Sequence, residues 1–583
     1  MIAAAFAATI PAMAYAKEPV KRPNVLLIIS DDTAYADLEP FGSALSTPAL
    51  DELAGNGVKF TNFHATPVCS VTRSELITGA ANIEVGLGSF DYSIYPPAAD
   101  KPGYEGYLTD NALAISQLLR DNGYNTYKVG KWHLGGEARG GRGPWEWGFT
   151  RSFGILSGGS NHWNDRAMLF NTASKANQEL FAQGKVPGVP KEAWHLNGAP
   201  YDRQTGIYSN ELYISQLIDF IDADRQSGKP WFAWVAYTTG HMPIQAPRTR
   251  ANKYYKMYLE QGYEGVKAAR EARLKKMGVV SSDAKTATPN KIAEPWEDLT
   301  DDEKRKEAKI MATYAAMFED QDYHTGRLID YLDMNGDLDN TLIIFLSDNG
   351  PEGFDPTSKY IGNKDIEKWM AENFDQSIEA VGTMDAFNYI GVSWANAATG
   401  ALSWWKWFVG EGGIRTPMII SPPGAYKGEY KRAGDTSDAT VSVRDLPITI
   451  LDYVGIKHPG TKYKGRNVAK PSGISAKPYL DGDQAHVRTE DDMWAFELFG
   501  NMYVMRGDLK AIKVREGMYG DGKWNLYNVV EDPAETTPLN EKHPEKLEAM
   551  IEFYGQYAAQ NGIVTVKEDW NPFTQLSSSG GKN

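Results

Sequence analysis

Short apolar runs that stop abruptly at polar residues constrain the fold of this chain more than any other feature of its sequence. Four of these runs are too short for helices and are typical of buried strands, at 25–29, 231–237, 342–346 and 418–420. Longer stretches between them repeat apolar residues at helical spacing, at 113–119, 209–221 and 310–332. This alternation predicts an α/β fold in which helices flank a large central, mostly parallel sheet.

Polar residues follow three of these predicted strands directly. Asp31 and Asp32 come after the first strand, and His241 comes shortly after the second. Asp348 and Asn349 come after the third. Because open α/β folds place their sites at the carboxyl ends of the strands, we expect these five residues on one rim of the sheet.

The acidic and amide residues on this rim form an all-oxygen ligand set. Three carboxylates and one amide suit a hard divalent cation such as Ca²⁺ or Mg²⁺, whereas zinc and copper favour His or Cys. Asp and Asn also follow strands as turn and helix-capping residues, so a purely structural role stays open at this point.

A single cysteine, Cys69, occurs in the 583 residues, so no internal disulfide can form. The residues after it read as the start of a helix, which places Cys69 near a helix N-terminus. The helix dipole and Arg73 would both favour an anionic group there. A lone cysteine can also be a small buried apolar residue, and the surrounding residues match neither a tyrosine phosphatase nor a cysteine protease signature.

Three further residues are candidates for charge or proton transfer. Lys131 and His133 would share one edge of an extended segment, because alternate residues of a strand face the same way. Lys406 precedes a Glu-Gly-Gly segment and adds another cation. A lysine or histidine considered alone is more often structural or at the surface.

The sequence pattern changes after about residue 475. Short alternating runs separated by Gly and Asp read as antiparallel strands, at 493–498, 502–506, 510–514 and 524–529. A helical pattern at 544–558 would pack on this small sheet. We therefore predict a main domain at 17–475 and a C-terminal subdomain at 476–583.

The segment at 265–308 is dense in charged residues and shows no apolar periodicity. This composition is typical of a solvated helical insertion. The alternative is a lid that bears on the choice of substrate.

The overall charge and the first residues restrict partners and location. Against 60 basic residues the chain has 75 acidic ones, a net charge of −15, which is unsuited to nucleic acid. The sequence contains no run of 18 apolar residues, so no membrane span is predicted. Residues 1–16 are mostly small and apolar and end in Ala-Tyr-Ala, as signal peptides do. We therefore expect a periplasmic or secreted protein.

Several of these segments together resemble a known family. They are Cys-Ser-Val-Thr-Arg at 69–73 with Leu-Ile-Thr-Gly at 76–79, Ser-Asp-Asp at 30–32, Gly-Lys-Trp-His-Leu-Gly at 130–135, Gly-His-Met-Pro at 240–243, Ser-Asp-Asn-Gly at 347–350, Lys406 with Glu-Gly-Gly-Ile-Arg at 411–415, and Trp-Asn-Leu-Tyr at 524–527. In these motifs and their order the chain resembles type I sulfatases of the alkaline phosphatase superfamily, most closely bacterial arylsulfatases.

The resemblance implies a cofactor and its ligands. Cys69 would be oxidised to formylglycine (3-oxoalanine) by a maturation system, and its hydrate would be the nucleophile. Asp31, Asp32, Asp348 and Asn349, together with the modified Cys69, would hold one Ca²⁺, with Mg²⁺ as the alternative. The domain at 17–475 would then be the catalytic domain.

The resemblance also implies roles for five catalytic side chains. Arg73 and Lys131 would hold the hydrate and the sulfate. His241 and Lys406 would contact the sulfate and protonate the leaving oxygen. His133 would take the proton whose loss expels sulfate.

The function implied is hydrolysis of a sulfate monoester, an aryl sulfate or another small-molecule or saccharide ester. One alternative is a phosphomonoester or phosphodiester hydrolase on the same scaffold. Another is an unmatured, Ca²⁺-dependent protein that binds sulfated ligands, because Val71 stands where the family has Pro or Ala. The oligomeric state is left open.

Overall fold

A computed structural model describes residues 22–89, 93–136, 140–168, 175–285, 287 and 290–575. The signal peptide predicted at residues 1–16 lies outside the described residues. No helix in the described ranges is both long and apolar enough to cross a bilayer.

The strands of the main region are short, as their apolar runs predict. They are β1 (Asn24–Ser30), β2 (Val58–Phe60), β3 (Phe63–His64), β4 (Asn125–Lys131), β5 (Arg151–Ile155), β6 (Trp194–Leu196), β7 (Ala199–Tyr201), β8 (Trp231–Ala236), β9 (Thr341–Ser347), β10 (Met418–Ser421), β11 (Thr436–Ser437), β12 (Val441–Ser442), β13 (Lys462–Tyr463) and β14 (Arg466–Asn467).

Ten of these strands form the central sheet, in the order β11-β2-β10-β9-β1-β8-β4-β5-β6-β7. The five strands from β9 to β5 in this order are mutually parallel, and antiparallel pairs lie on both sides of them. The register aligns the strand ends, because Ser30 pairs with Ser347 and Ala236 pairs with both Ile29 and Gly130. The polar residues that follow these strands therefore emerge at one rim. The predicted α/β class is confirmed.

Helices cover both faces of the sheet. The α-helices of the described ranges are α1 (Pro48–Gly55), α2 (Cys69–Thr78), α3 (Ile115–Asp121), α4 (Lys175–Ala182), α5 (Ser209–Asp224), α6 (Arg248–Lys276), α7 (Asp301–Met334), α8 (Lys364–Asn373), α9 (Gly391–Ala398), α10 (Glu411–Ile414), α11 (Asp445–Tyr453), α12 (Lys477–Leu480) and, in the C-terminal region, α13 (Pro544–Asn561).

The alternation of side chains along β1 explains why this strand is apolar throughout. Leu26 and Ile28 belong to one hydrophobic core, to which α5, α6 and α7 contribute. Val25, Leu27 and Ile29 belong to the other core, with α3 and α11. Since successive strand residues point to opposite faces, a strand buried on both faces needs apolar residues at every position.

The C-terminal region forms a separate antiparallel sheet. Its strands are β15 (Trp494–Leu498), β16 (Asn501–Arg506), β17 (Leu509–Lys513) and β18 (Trp524–Asn528), paired in chain order. Helix α13 packs on it through Met550, which shares a small core with Ala495 and Val504. The predicted small sheet with a packed helix is confirmed, and the limits of the two domains stay a prediction.

The charge-dense segment at 265–308 differs from the expected solvated insertion. Its first part completes α6 and its last part opens α7. Val266 and Leu274 are buried, and so is Arg270, whose Nη1 lies 2.6 Å from Oδ1 of Asp37. A charged side chain can be buried when it is paired, so charge density alone does not mark a solvated segment.

Candidate active site

Four side chains of the types that ligate metals converge where the central strands end. One ligand atom from each of Asp31, Asp32, Cys69 and Asp348 lies within 4.8 Å of the other three. All four residues are fully buried. The thiol of Cys69 donates to Oδ1 of Asp32 at 3.9 Å. The structure thus brings residues from two strand ends and one helix to a single point.

The backbone explains why these groups meet. The loops after β1 and β9 leave adjacent, parallel strands, so the carboxylates that follow both strands face the same space. Helix α2 begins at Cys69 after an extended Val68, which aims the helix N-terminus at this space. The hydroxyl of Thr72 donates to the carbonyl oxygen of Asp348 at 2.6 Å and ties α2 to the β9 loop.

Each of the three carboxylates is paired with one buried cation. Lys131 Nζ lies 2.7 Å from Oδ2 of Asp31. Lys406 Nζ lies 2.8 Å from Oδ1 of Asp32. In the third pair Arg73 Nε donates to Oδ2 of Asp348 at 2.8 Å, and Nη2 lies 2.7 Å from the same oxygen. Carboxylates and cations therefore lie side by side on the rim. The carboxylates would attract a metal ion, and the cations would attract an anionic ligand.

Burial affects the acidity of these groups unequally. Burial, and then repulsion from Asp348, raises the pKa of Asp31 to about 7 despite its contact with Lys131. Burial alone would raise the pKa of Asp32 as well, but the cations around it, Lys406 first, lower it to about 2. Burial raises the pKa of the Cys69 thiol, so the unmodified side chain is a poor nucleophile in this environment.

Asn349 completes the oxygen ligand set. Its Nδ2 donates to Oδ1 of Asp32 at 2.7 Å and to the carbonyl oxygen of Gly350 at 2.8 Å. Its Oδ1 is buried and accepts no hydrogen bond from any residue that the structure describes. A buried oxygen without a partner costs free energy unless a donor or a cation satisfies it. Three carboxylates and this orphaned oxygen fit one hard divalent cation.

The two candidate histidines lie against the same pair of glycines. A Cβ on Gly158 would lie 2.9 Å from Cε1 of His133, and one on Gly159 would lie 3.1 Å from Nδ1 of His241. His241 Nδ1 is bonded to the carbonyl oxygen of Met242 at 2.9 Å, which leaves Nε2 3.8 Å from Oδ2 of Asp32. Side chains at 158 and 159 would fill the space that both imidazoles occupy.

The backbone conformation that positions His133 beside Gly158 differs from the extended one that we expected. β4 ends at Lys131, and His133 has φ of 59°, in the left-handed region. Lys131 and His133 are therefore not alternate residues of one extended segment, and that expectation is wrong. A turn of the backbone after the strand, rather than strand alternation, places the imidazole.

One site residue was not anticipated from the sequence. Glu352 is buried, and its Oε2 lies 2.8 Å from Nζ of Lys406. Its Oε1 accepts from Nε1 of Trp407 and from the backbone N of Phe354, both at 2.8 Å. The only sequence signal was its position, three residues after Asn349 in the loop that follows β9.

A buried ion network joins the Lys406 loop to the C-terminal sheet. Lys510 of β17 places Nζ 2.8 Å from Oε1 of Glu411 and 2.9 Å from Oε1 of Glu535. His64 contacts the other oxygen of Glu411 at 3.1 Å. Glu535 also accepts from the backbone N of Glu411 and from the hydroxyl of Ser403. These contacts hold the segment 403–411, which carries Lys406.

Comparisons with known proteins agree with this geometry. The Sulfatase family model matches residues 23–456. An uncharacterized sulfatase from Schizosaccharomyces pombe is 36% identical over 562 residues, which cover 94% of this chain and 96% of the relative. An arylsulfatase from Klebsiella aerogenes is 33% identical over 457 residues, which cover 78% of this chain and 91% of the relative.

A solved structure supports the fold. Ps i-CgsB, in complex with k-i-k-neocarrahexaose, superimposes with a TM-score of 0.62 at 21% identity, over 94% of this chain and 95% of the other. At that identity the similarity concerns the fold alone. The family model covers most of the chain, and both sequence relatives match over most of their length. The chain therefore belongs to the sulfatase family, as a type I sulfatase of the alkaline phosphatase superfamily, an enzyme that hydrolyses sulfate esters.

Proposed function

We propose that this sulfatase cleaves a sulfate monoester, with an aryl sulfate as the first candidate, through a formylglycine formed from Cys69 and one bound Ca²⁺. The observation that carries the proposal is the convergence of Asp31, Asp32, Cys69 and Asp348 within 4.8 Å beside three buried cations. The arylsulfatase from Klebsiella aerogenes supports the aryl substrate. A sulfated saccharide is the second candidate, by analogy of fold with Ps i-CgsB, whose structure holds k-i-k-neocarrahexaose.

The oxygens of Asp31, Asp32, Asp348 and Asn349 would hold the metal. When bound, a hard divalent cation offsets the charge of the carboxylates and polarises a sulfate oxygen. Mg²⁺ is the alternative to Ca²⁺ and would need fewer protein ligands in a stricter octahedron.

The cations of the chain would bind and orient the sulfate. Arg73 and Lys131 lie against two of the carboxylates at the N-terminus of α2, where the helix dipole also favours an anion. The net charge of −15 repels an anionic ester at long range. These fixed cations therefore reverse the potential locally and stabilise charge that develops as the ester bond breaks.

Lys406, His241 and His133 would transfer protons. Lys406 Nζ lies beside Asp32 and would donate to the leaving oxygen. His241 Nε2 lies beside the same carboxylate and would donate as the imidazolium, because Nδ1 already donates to the carbonyl oxygen of Met242. A formylglycine hydrate at position 69 would supply one hydroxyl as the nucleophile and a second hydroxyl that can lose its proton. His133 would accept that proton, which lets each turnover end with the same residue at position 69.

Maturation depends on residues around Cys69, and Val71 is the departure from the family pattern. Val71 is fully buried in the first turn of α2. We infer that a maturation system still converts Cys69, because every partner of the chemistry is present. We also infer export to the periplasm or the medium from the sequence of residues 1–16, which cell fractionation of the natural host would test.

The test is mass spectrometry of the peptide containing Cys69, from protein expressed in its own host, beside rates with an aryl sulfate and an aryl phosphate. We expect a mass that matches the aldehyde or its hydrate, and a faster rate with the sulfate. A thiol that is alkylated in nearly every molecule, with ligand binding but no turnover, would favour the unmatured binding protein. A large preference for the phosphate would favour the phosphohydrolase.

A further inference from the structure

A cavity of about 540 Å³ lies apart from the residues of the active site, none of which lines it. It is lined by residues of α6, of α7 and of the segment between them, by the loop after Glu352, by α8 and the residues just after it, and by residues 387–393. Its volume lies within the range of small-molecule binding sites. The established reaction assigns no ligand to it.

Two carboxylates face this cavity without a cationic partner. Glu307 and Asp355 both line it, and neither has a Lys, Arg or His nitrogen within 4 Å among the described residues. The donors beside the carboxyl group of Glu307 are neutral: the hydroxyl of Tyr263, 3.2 Å from Oε2, and the indole of Trp394. Asp355 accepts from the backbone N and the hydroxyl of Thr357, at 2.8 and 2.7 Å. Burial, and then repulsion from Asp355, raises the pKa of Glu307 to about 8.

A third polar group beside them is also unsatisfied. Asn388 lines the cavity and is only 5% exposed, yet its Oδ1 accepts no hydrogen bond in the described part of the chain. Its backbone oxygen accepts from the backbone N of Ile244 at 2.8 Å, which fixes the residue in place. Buried amides nearly always find partners, so an unmet acceptor beside two unpaired carboxylates indicates a missing donor.

The arrangement excludes two classes of ligand. A metal ion needs carboxylates that converge, and within the described ranges such groups occur only around Cys69. Two lysines, Lys306 and Lys359, also line the cavity, and Lys359 lies 3.5 Å from Glu294. An anion, the sulfate ester included, would still be repelled, because the carboxylates in the lining outnumber these lysines even without Glu307: Glu294, Glu303, Asp355 and Glu367. The aromatic rings of Tyr263, Phe387 and Tyr389 also line the cavity, and such rings attract organic cations and their alkyl carbons.

We propose that this cavity binds an organic amine, whose ammonium group donates to the carboxylates of Glu307 and Asp355 and to Oδ1 of Asn388. The ammonium group supplies the donors and the positive charge that these three side chains lack. An amino sugar and a polyamine both offer this chemistry. The inference does not depend on the proposed aryl sulfate or on formylglycine.

Isothermal titration of the purified, metal-loaded protein tests the proposal with three probes. They are D-glucosamine, its neutral N-acetyl form, and spermidine. We expect glucosamine or spermidine to bind and N-acetylglucosamine not to bind. Glucosamine alone would identify the amino-sugar class, and spermidine alone the polyamine class. No heat with either amine, or equal binding of glucosamine and N-acetylglucosamine, would overturn the proposal.

Substitutions of the cavity carboxylates test whether the amine binds at Glu307 and Asp355. Glu307→Gln should weaken amine binding by about tenfold or more, because Gln cannot ionise to pair with the ammonium group. Asp330→Asn is the control, since Asp330 is exposed on the same helix and does not line the cavity. It should change binding by less than about twofold. Asp355→Asn serves as a second variant if Glu307→Gln fails to fold, and both should keep wild-type rates with an aryl sulfate. Unchanged affinity in a folded variant would overturn the assignment.

Discussion

The ammonium group of Lys406 is 2.8 Å from Oε2 of Glu352 and is therefore held from a second side, opposite its contact with Asp32. Both oxygens of Glu352 are occupied, because Oε1 accepts from Nε1 of Trp407 and from the backbone N of Phe354. Lys406 thus has a fixed position beside Asp32. Glu352 acts through Lys406 and is a positioning residue.

Replacing Glu352 by Gln should lower kcat by about 10- to 100-fold, the usual effect of losing a group that orients a site residue. The KM for an aryl sulfate and the bound metal content should change little, because the metal ligands remain. Steady-state kinetics and metal analysis measure the three quantities. Glu372→Gln, an exposed residue of α8, is the control and should keep wild-type kinetics. A loss of metal in Glu352→Gln would mean that the residue supports the metal cluster instead.

Much of the site could be predicted because it follows from strand ends. Apolar runs set β1 and β9, and parallel neighbours must end at one rim, which brings Asp31, Asp32, Asp348 and Asn349 together. Cys69 reaches the same point on a helix, and only the resemblance to a family connected it with the carboxylates. No local pattern encodes a contact between distant loops.

The residues that were missed depend on tertiary contacts. Glu352 becomes a site residue only when the loop after β9 meets Lys406. Gly158 and Gly159 are ordinary in sequence, and their importance lies in the two imidazoles packed against them. Arg270 lies in the segment that we predicted to be solvated. Composition cannot show that Asp37 lies 2.6 Å from it and pairs with it in the core.

Removal of the metal should abolish activity and lower Tm. Without a cation, the carboxylates of Asp31, Asp32 and Asp348 repel one another in a buried space. A metal present at about one hundred times its Kd contributes about 3 kcal/mol to stability. Differential scanning fluorimetry and aryl sulfate assays after dialysis against EGTA, followed by addition of Ca²⁺, measure both effects.

The Asp348→Asn variant is the control for this metal effect, because it removes one ligand and should blunt the response of Tm to Ca²⁺. An effect of EDTA without an effect of EGTA would identify Mg²⁺ in place of Ca²⁺. Unchanged activity and Tm after complete chelation, confirmed by elemental analysis, would contradict a metal at this site.

Lys510 should stabilise the enzyme far more than Lys513, another lysine of β17. Lys510→Met leaves the buried carboxylates of Glu411 and Glu535 without their ammonium partner, which costs about 3–5 kcal/mol. Lys513→Met breaks a partly exposed pair with Glu568 and should cost less than about 1 kcal/mol. Urea unfolding compares the two variants. Similar losses in both would show that the buried network contributes little.

Lys510→Met should also reduce kcat. Lys510 pairs with Glu411 and Glu535, and these two residues hold the segment that carries Lys406. Lys513→Met should leave kcat unchanged. A destabilised Lys510→Met variant with full activity at low temperature would separate the stability of the C-terminal sheet from the geometry of the active site.

Glu497 should make the stability of the protein decrease between mildly acidic and neutral pH. This residue of β15 is buried, and burial raises its pKa from 4.5 to about 7, although Arg515 and a hydrogen bond from the backbone N of Gly500 oppose the shift. Between these two values the folded protein keeps a proton that the unfolded chain has released. The stabilisation is complete below the lower pKa and is lost as the pH rises through the upper one.

The Glu497→Gln variant removes this titration while Gln can still accept the hydrogen bond from Gly500. The difference in unfolding free energy between the variant and the wild type should therefore move in favour of the variant by about 3 kcal/mol from acidic to neutral pH. Urea unfolding across this range measures the difference, and Glu548→Gln, an exposed change on α13, supplies the baseline. Parallel pH profiles for Glu497→Gln and the wild type would show that Glu497 is already ionised in the folded protein at acidic pH.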